Sequence, residues 1–192
     1  MPLADALGVV RLVVAAALPG TLLRPTRWWL PILLFALAAA SDWLDGPLAR
    51  RGPGPTRHGA VLDNTADIAF VLAGTVTGAL LGLVSPAVPL AIAVAFAAYV
   101  VASLAQSTRR GAWRLARSRL GHAAGVLNYA LTGLIVARTA LPGRAWGSLL
   151  ALASLVVVAA NLAAVLERTV PALLTRARAP RGGGSRARSA RS

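Results

Sequence analysis

The chain has 192 residues, of which 57% are apolar and 14% are charged, and its mean hydropathy is +0.67. Soluble domains contain about a quarter of charged residues, so this composition indicates an integral membrane protein. The formal net charge of +14 comes from twenty basic residues, all of them arginine. No finger spacing or aromatic-rich basic module accompanies them, which favours anionic lipid and phosphorylated substrates over nucleic acid as partners. Cysteine is absent, which excludes disulfides, thiolate metal sites and cysteine nucleophiles.

Six apolar segments have about the length that a helix needs to cross a bilayer. Arg11 interrupts the first of them, and Pro19 and Gly20 break its end. The sequence therefore predicts an all-α integral membrane protein, a six-transmembrane-helix bundle that forms one domain over residues 1–170. The predicted spans are residues 6–23, 28–49, 60–83, 86–106, 121–140 and 146–167.

Positive charge is concentrated in two connections between these segments. One is residues 50–59, and the other joins the fourth span to the fifth and contains Arg109, Arg110, Arg114, Arg117 and Arg119. The positive-inside rule places both connections in the cytoplasm, and an even number of spans places both termini there too. We expect a multi-pass protein of a bacterial plasma membrane. From Arg176 onward the chain alternates arginine with alanine, serine and glycine. Residues 171–192 are therefore predicted to form a basic, disordered cytoplasmic tail.

Small residues recur on the third span. Gly74, Gly78 and Gly82 are four residues apart and therefore lie on one helix face. Such strips allow two helices to approach closely. The contact is either packing inside this chain or the seam of a homodimer, and the sequence leaves both open.

Four of the six acidic residues lie close together, at Asp42, Asp45, Asp63 and Asp67. Their spacings of three and four residues put each pair on one face of its own helix. The basic turn between the two helices reverses the chain and brings the pairs together. Carboxylate oxygens are ligands that Mg²⁺ and Mn²⁺ prefer, and two such ions can clamp a diphosphate. The cluster therefore indicates phosphoryl transfer.

Neighbouring residues suit the same chemistry. Gly46 and Gly59 lack side chains and allow a helix or a substrate to approach closely, and Arg50 can reach a phosphate as a forked donor. Residues 41–67 read SDWLDGPLARRGPGPTRHGAVLDNTAD. The fixed positions are Asp42-x2-Asp45-Gly46-x2-Ala49-Arg50-x8-Gly59-x3-Asp63-x3-Asp67. This pattern resembles the signature of the CDP-alcohol phosphatidyltransferases, also called CDP-alcohol phosphotransferases.

The resemblance implies a function and a place for the site. It implies transfer of a phosphatidyl group from CDP-diacylglycerol, or a related CDP-alcohol, to a small polar alcohol, with release of CMP. It also places the active site at the cytoplasmic side of helices 2 and 3.

The resemblance also implies residue roles. Two divalent cations, Mg²⁺ or Mn²⁺, would bind Asp42, Asp45, Asp63 and Asp67. Asp67 would also be the general base, and Gly46, Arg50, Thr56 and Gly59 would contact the CDP portion. Asp5, Gly8 and Arg11 fall where the family's N-terminal segment helps to hold the nucleotide, although the Asn and Thr common there are missing. Ile68 stands where the family often has lysine.

The acceptor is less constrained by the sequence. The arginine cluster from Arg109 to Arg119 is either a topology signal or a site for an acceptor phosphate. His122, Asn128 and Tyr129 either line that pocket or form interhelical hydrogen bonds. Glycerol 3-phosphate is the first choice, and inositol phosphate, another phospholipid, serine or another polar alcohol compete with it.

Other interpretations of the aspartates are a salt-bridge network with Arg50, Arg51 and Arg57, or the ion path of a small ion-coupled transporter. Intramembrane prenyltransferases also hold a diphosphate through Mg²⁺ and aspartates. They resemble a larger bundle with a second acidic motif in the C-terminal half, where this chain has only Glu167.

Overall fold

The computed structural model describes residues 3–24, 26–51, 57–110, 118–141, 143 and 145–177. In these residues every regular element is an α-helix and no strand occurs, which confirms the all-α prediction. The six helices are α1 (Leu3–Leu23), α2 (Leu30–Arg51), α3 (Arg57–Leu80), α4 (Ala87–Arg110), α5 (Arg119–Ala140) and α6 (Trp146–Ala177).

Four of the described helices are long and apolar enough to cross a membrane. These stretches are Ala6–Leu23, Ala87–Ala105, Arg119–Ala140 and Trp146–Val170. They support a multi-pass membrane protein. Within the part of α2 whose side chains are described, the apolar stretch is Leu30–Leu44, and the apolar part of α3 begins only after Asp67. The six-span arrangement therefore stays a prediction for α2 and α3.

The last helix is longer than its predicted span. It continues to Ala177, so the first residues of the predicted tail are helical, while residues 178–192 lie outside the described part of the chain. The predicted domain boundary after residue 170 remains a prediction.

The helices pack in two groups. Helices α3, α4, α6 and α5 contact one another in a ring, and α1 packs against α3 and α2, which also contacts α5. One apolar cluster lies within the ring, around Val88, Ile92, Leu131 and Ile135. A second cluster joins α1 and α2 to the ring through Leu18, Leu22, Ala38, Phe70 and Val136. This packing fixes the ends of α2 and α3 beside the interior of the ring.

The small-residue strip of α3 packs inside this chain. A Cβ atom on Gly74 would lie 2.5 Å from Cγ2 of Thr132 on α5, and one on Gly78 would lie 2.7 Å from Cδ1 of Ile135. Both glycines thus face α5, which occupies the strip that a homodimer would need. Gly82 has a different role, because its φ of 68° places it just beyond the C-terminus of α3, where glycine is favoured.

Substitution at this contact gives a direct test of the packing. We expect Gly74→Ala to lower the free energy of unfolding by about 1–3 kcal/mol, because the added methyl group overpacks the contact with Thr132. Gly20→Ala is the matched control, since Gly20 is helical and has open space around it. Thermal unfolding in detergent measures both. Equal stability of the two variants would contradict the close contact between α3 and α5.

Candidate active site

Carboxylates from two helices meet at one point. Asp42 lies on α2, and Asp63 and Asp67 lie one turn apart on α3. One carboxylate oxygen from each of the three lies within 4.8 Å of the others. Their side chains are 54%, 47% and 36% exposed, in that order. The helix reversal thus brings together acidic groups that remain accessible to a ligand.

A buried arginine lies behind these carboxylates. Arg11 of α1 is fully buried, and its Nη1 donates to Oδ1 of Asp63 at 2.8 Å and to Oδ1 of Asp67 at 2.5 Å. Its Nη2 lies 3.7 Å from Oδ1 of Asp42. Its Nε donates to the hydroxyl of Ser41 at 3.3 Å. One guanidinium therefore links the aspartates of α2 and α3 to α1.

Charge at this cluster is not balanced within the described residues. Three carboxylates face one guanidinium, which leaves an excess of two negative charges. Like charges this close repel one another, so the excess favours binding of a further cation at these half-exposed carboxylates. Carboxylate oxygens at this separation are a donor set that suits Mg²⁺ or Mn²⁺. The residues present thus fit a divalent metal, and Arg11 accounts for only part of the negative charge.

Several predicted site residues lie partly or wholly outside the described structure. The backbones of Asp45, Gly46 and Arg50 belong to α2, and Gly59 belongs to α3. The side chains of Asp45 and Arg50 are not among those described, and neither are those of Arg51 and Arg57. The same holds for the side chains of Arg109 and Arg110 at the end of α4, while Thr56, Arg114 and Arg117 lie outside the described residues altogether.

A large cavity extends from the carboxylates into the ring of helices. Its volume is about 1050 Å³, and Asp42 and Asp67 form part of its wall. The other walls come from α3, α4, α5 and α6. Polar side chains of the wall include Asn64, Tyr99, Ser118, Arg119, His122, Asn128, Tyr129, Asn161 and Arg168. The cavity therefore gives a second molecule access to the acidic cluster.

The sequence identified some of this wall. Arg119, His122, Asn128 and Tyr129 were candidates for an acceptor pocket, and all four line the cavity that Asp67 also lines. Asn128 and Asn161 also exchange hydrogen bonds between α5 and α6, with Asn161 Nδ2 donating to Asn128 Oδ1 at 2.7 Å. Asn128 thus forms an interhelical hydrogen bond and also lines the pocket.

Arg168 is a cationic residue of the cavity that the sequence did not single out. Its guanidinium lies 5.3 Å from the ring centroid of Tyr99, and it closely approaches Gly121, whose lack of a side chain leaves the space. Its Nε is buried and has no hydrogen-bond partner in the described part of the chain. The only sequence signal was a charged pair, Glu167 and Arg168, at the end of the last apolar run.

Ser118 lines this cavity at the start of α5. Its Oγ accepts a hydrogen bond from the backbone N–H of Gly121 at 2.8 Å and so caps the N-terminus of α5. The same hydroxyl donates to Oε2 of Glu167 on α6. These two bonds hold the start of α5 against the part of α6 that carries Arg168.

Comparison with known proteins connects this geometry to a family. A family model described as CDP-alcohol phosphatidyltransferase matches residues 1–174. The chain belongs to the CDP-alcohol phosphatidyltransferase family. The family resemblance of residues 41–67 is therefore confirmed, and the match extends over all six helices up to residue 174.

Curated relatives carry a more specific name. The chain is 52% identical over 46 residues to the CDP-diacylglycerol–glycerol-3-phosphate 3-phosphatidyltransferase of Sodalis glossinidius (strain morsitans), which covers 22% of this chain and 25% of that protein. Proteins of the same name from Yersinia enterocolitica and Pectobacterium atrosepticum are 50% identical over 46 residues, with the same coverage. The match thus spans about a quarter of the length of these relatives.

Replacing Arg11 tests the electrostatic arrangement. We expect Arg11→Met to lower the free energy of unfolding by about 1–2 kcal/mol, because the half-exposed carboxylates lose a charged hydrogen-bond donor and solvent screens part of that loss. Mn²⁺ should restore part of this loss, since it binds the folded cluster. Thermal unfolding with and without Mn²⁺ measures both effects.

Arg24→Met is the control for that variant, because Arg24 is an exposed arginine just beyond α1. We expect it to change the stability by less than about 0.5 kcal/mol. An Arg11→Met variant as stable as this control, or one that Mn²⁺ does not stabilise, would contradict the assignment of Arg11 as the counter-cation of a metal site.

Proposed function

We propose that this protein transfers a phosphatidyl group from CDP-diacylglycerol to the hydroxyl of a small phosphorylated alcohol, glycerol 3-phosphate first among them, and releases CMP. The observation that carries the proposal is the acidic cluster beside a cavity whose wall also contains Arg119 and Arg168. The cluster suits the diphosphate of a CDP-linked lipid, and the arginines suit an anionic acceptor. Family membership supports the reaction class.

The donor half of the site rests on the aspartates. Asp42, Asp45, Asp63 and Asp67 hold two divalent cations, Mg²⁺ or Mn²⁺, in this proposal. Such ions supply charge stabilisation for a diphosphate and its leaving oxygen. Gly46, Arg50, Thr56 and Gly59 contact the CDP portion, as the family resemblance implies. Arg11 holds Asp63 and Asp67 in place from the buried side.

The transfer step needs a group that accepts a proton. The acceptor oxygen attacks the phosphorus of the phosphatidyl group, and the bond from that phosphorus to the bridging oxygen breaks, so that CMP leaves with this oxygen. The proton of the attacking hydroxyl passes to Asp67. Asp67 suits this role because it lines the cavity through which the acceptor enters and also belongs to the acidic cluster.

The acceptor half of the site is cationic. Arg168 has a buried Nε without a described partner, and such a donor is costly unless a ligand or water satisfies it. A phosphate oxygen is a strong partner for a guanidinium. The name of the curated relatives, which specifies glycerol 3-phosphate, agrees with this. Arg109, Arg110, Arg114 and Arg117 precede Ser118 in the sequence, and the proposal includes them as further partners of the acceptor phosphate. Inositol phosphate, another phospholipid and other polar alcohols are the alternative acceptors.

The proposal includes an orientation. All six helices cross the membrane, with the site at the cytoplasmic side of α2 and α3 and both termini in the cytoplasm of a bacterial cell. The carboxylates lie near the end of α2 and the start of α3, next to the basic residues 50–59. The connection from α4 to α5, which reaches the cavity at Ser118 and Arg119, is also basic. The positive-inside rule places both connections on the same side.

A CMP-release assay tests the reaction. Purified protein with Mn²⁺ or Mg²⁺ and CDP-diacylglycerol should release CMP when glycerol 3-phosphate is supplied, and chelation should abolish the release. Asp67→Asn should lower the rate at least about 100-fold, because a positioned general base contributes that much or more. Thr65→Ala is the matched control, since Thr65 is an exposed neighbour on α3 whose hydroxyl donates only to the carbonyl of Val61.

The same assay separates the competing functions. A panel of glycerol 3-phosphate, inositol phosphate, serine and phosphatidylglycerol identifies the acceptor by the product formed. A small ion-coupled transporter would release no CMP with any of them. Full activity of Asp67→Asn would show that another group takes the proton.

Gly121 tests the acceptor site. An added methyl group there would collide with the guanidinium of Arg168, so we expect Gly121→Ala to raise the KM for glycerol 3-phosphate about tenfold, as the loss of one charged hydrogen bond would. The KM for CDP-diacylglycerol should not change.

Gly125→Ala is the matched control for that variant. Gly125 also lines the cavity on α5, but a Cβ there would meet no atom within 4 Å. Equal KM values for glycerol 3-phosphate in the two variants would contradict the assignment of Arg168 to the acceptor site.

A further inference from the structure

Tyr129 is held rigidly between the acidic cluster and the cavity. Its ring centroid lies 5.1 Å from that of Phe70 on α3 and 6.0 Å from that of Phe35 on α2. The residue packs against both apolar clusters of the bundle. Aromatic contacts from two other helices therefore fix the ring, and they also fix the direction of its hydroxyl.

The hydroxyl of Tyr129 has no hydrogen-bond partner in the described part of the chain, although it is buried. A buried hydroxyl without a partner is unfavourable, because it loses its hydrogen bonds to water and gains none in the protein. The Tyr129 ring contacts Phe70, which follows Asp67 by three residues and lies on the same face of α3. Tyr129 and Asp67 also line the same cavity, so the donor lies on the side of the bundle that holds the carboxylate proposed as the base.

The folded state itself gains nothing from this oxygen. Phenylalanine at position 129 would keep the ring contacts with Phe35 and Phe70 and would avoid the unpaired buried group. Buried polar groups without partners are rare in native structures, and each one calls for an explanation. Since Tyr129 also lines the cavity, a role in the loaded site supplies that explanation.

We propose that Tyr129 is a positioning residue for Asp67, and that its hydroxyl donates a hydrogen bond to the Asp67 carboxylate when substrate occupies the site. Arg11 Nη1 is shared between Asp63 and Asp67, so Asp67 receives only part of this donor. Tyr129 then supplies the donor that keeps the carboxylate oriented toward the attacking hydroxyl. This inference rests on the proposed function, because it takes Asp67 as the proton acceptor.

Tyr129→Phe separates this role from a structural one. We expect kcat for CMP release to fall about ten- to a hundredfold, the range for loss of a hydrogen bond to a charged group. The KM values for CDP-diacylglycerol and the acceptor should stay within about twofold, since the hydroxyl positions the base and does not bind substrate. The midpoint of thermal unfolding in detergent should be equal or higher, because the variant removes a buried unpaired donor.

Ser154→Ala is the matched control. Ser154 is also buried with an unpartnered hydroxyl, but it does not line the cavity. We expect this variant to be at least as stable as the native chain and fully active. Lower activity in Tyr129→Phe alone, without loss of stability, supports the positioning role.

Three results would overturn the proposal. An unchanged kcat in Tyr129→Phe would show that the hydroxyl does not serve the reaction. A lowered unfolding midpoint together with raised KM values would show that it serves the fold. The absence of CMP release by the native chain would overturn the proposed function itself, and the role of Tyr129 with it.

Discussion

Arg11 is a fully buried cation in the middle of the first apolar helix, and the arrangement of the acidic residues depends on it. Burying a guanidinium costs several kcal/mol unless opposite charge and hydrogen bonds compensate, and here Asp63, Asp67 and Ser41 provide them. The aspartates in turn need a cation close by, since they lie on helices packed into an apolar bundle. Each charge is therefore tolerated because of the others, and α1, α2 and α3 are tied together at the site. Among the described residues one guanidinium faces three carboxylates, which leaves negative charge for a ligand to neutralise.

In the proposed function, the same packing separates the two substrates. The donor diphosphate would lie at the acidic cluster between α2 and α3, whereas an acceptor would reach Asp67 through the cavity inside the ring formed by α3, α4, α6 and α5. Arg168 of α6 adds positive charge to that cavity, and the hydrogen bond from Ser118 to Glu167 joins the start of α5 to α6 beside it. In this proposal two anionic substrates meet at Asp67. The donor diphosphate would lie beside the divalent cations, and the acceptor phosphate would lie beside Arg168.

The sequence predicted the parts of this site that depend on local spacing. The intervals from Asp42 to Asp45 and from Asp63 to Asp67 imply shared helix faces, and the arginine-rich turn implies that the faces meet. Long-range partners were harder to predict. Arg11 was interpreted as an interruption of a span and as part of a nucleotide-holding segment, because no local pattern shows that α1 packs against α3. Arg168 was missed for the same reason, since its place in the cavity depends on Gly121 of another helix. The glycines of α3 predicted a close contact, but only the packing against Thr132 and Ile135 identified α5 as the partner.

The most direct test of the account is electron paramagnetic resonance of Mn²⁺ bound to the detergent-solubilised protein with CDP-diacylglycerol. Carboxylates that meet within 4.8 Å should hold two manganese ions a few ångströms apart, as two-metal sites do. We expect a spin-coupled spectrum from the native chain and its loss in Asp63→Asn. A spectrum of isolated Mn²⁺, or a coupled spectrum that Asp63→Asn leaves unchanged, would contradict the assignment of this cluster as the metal site.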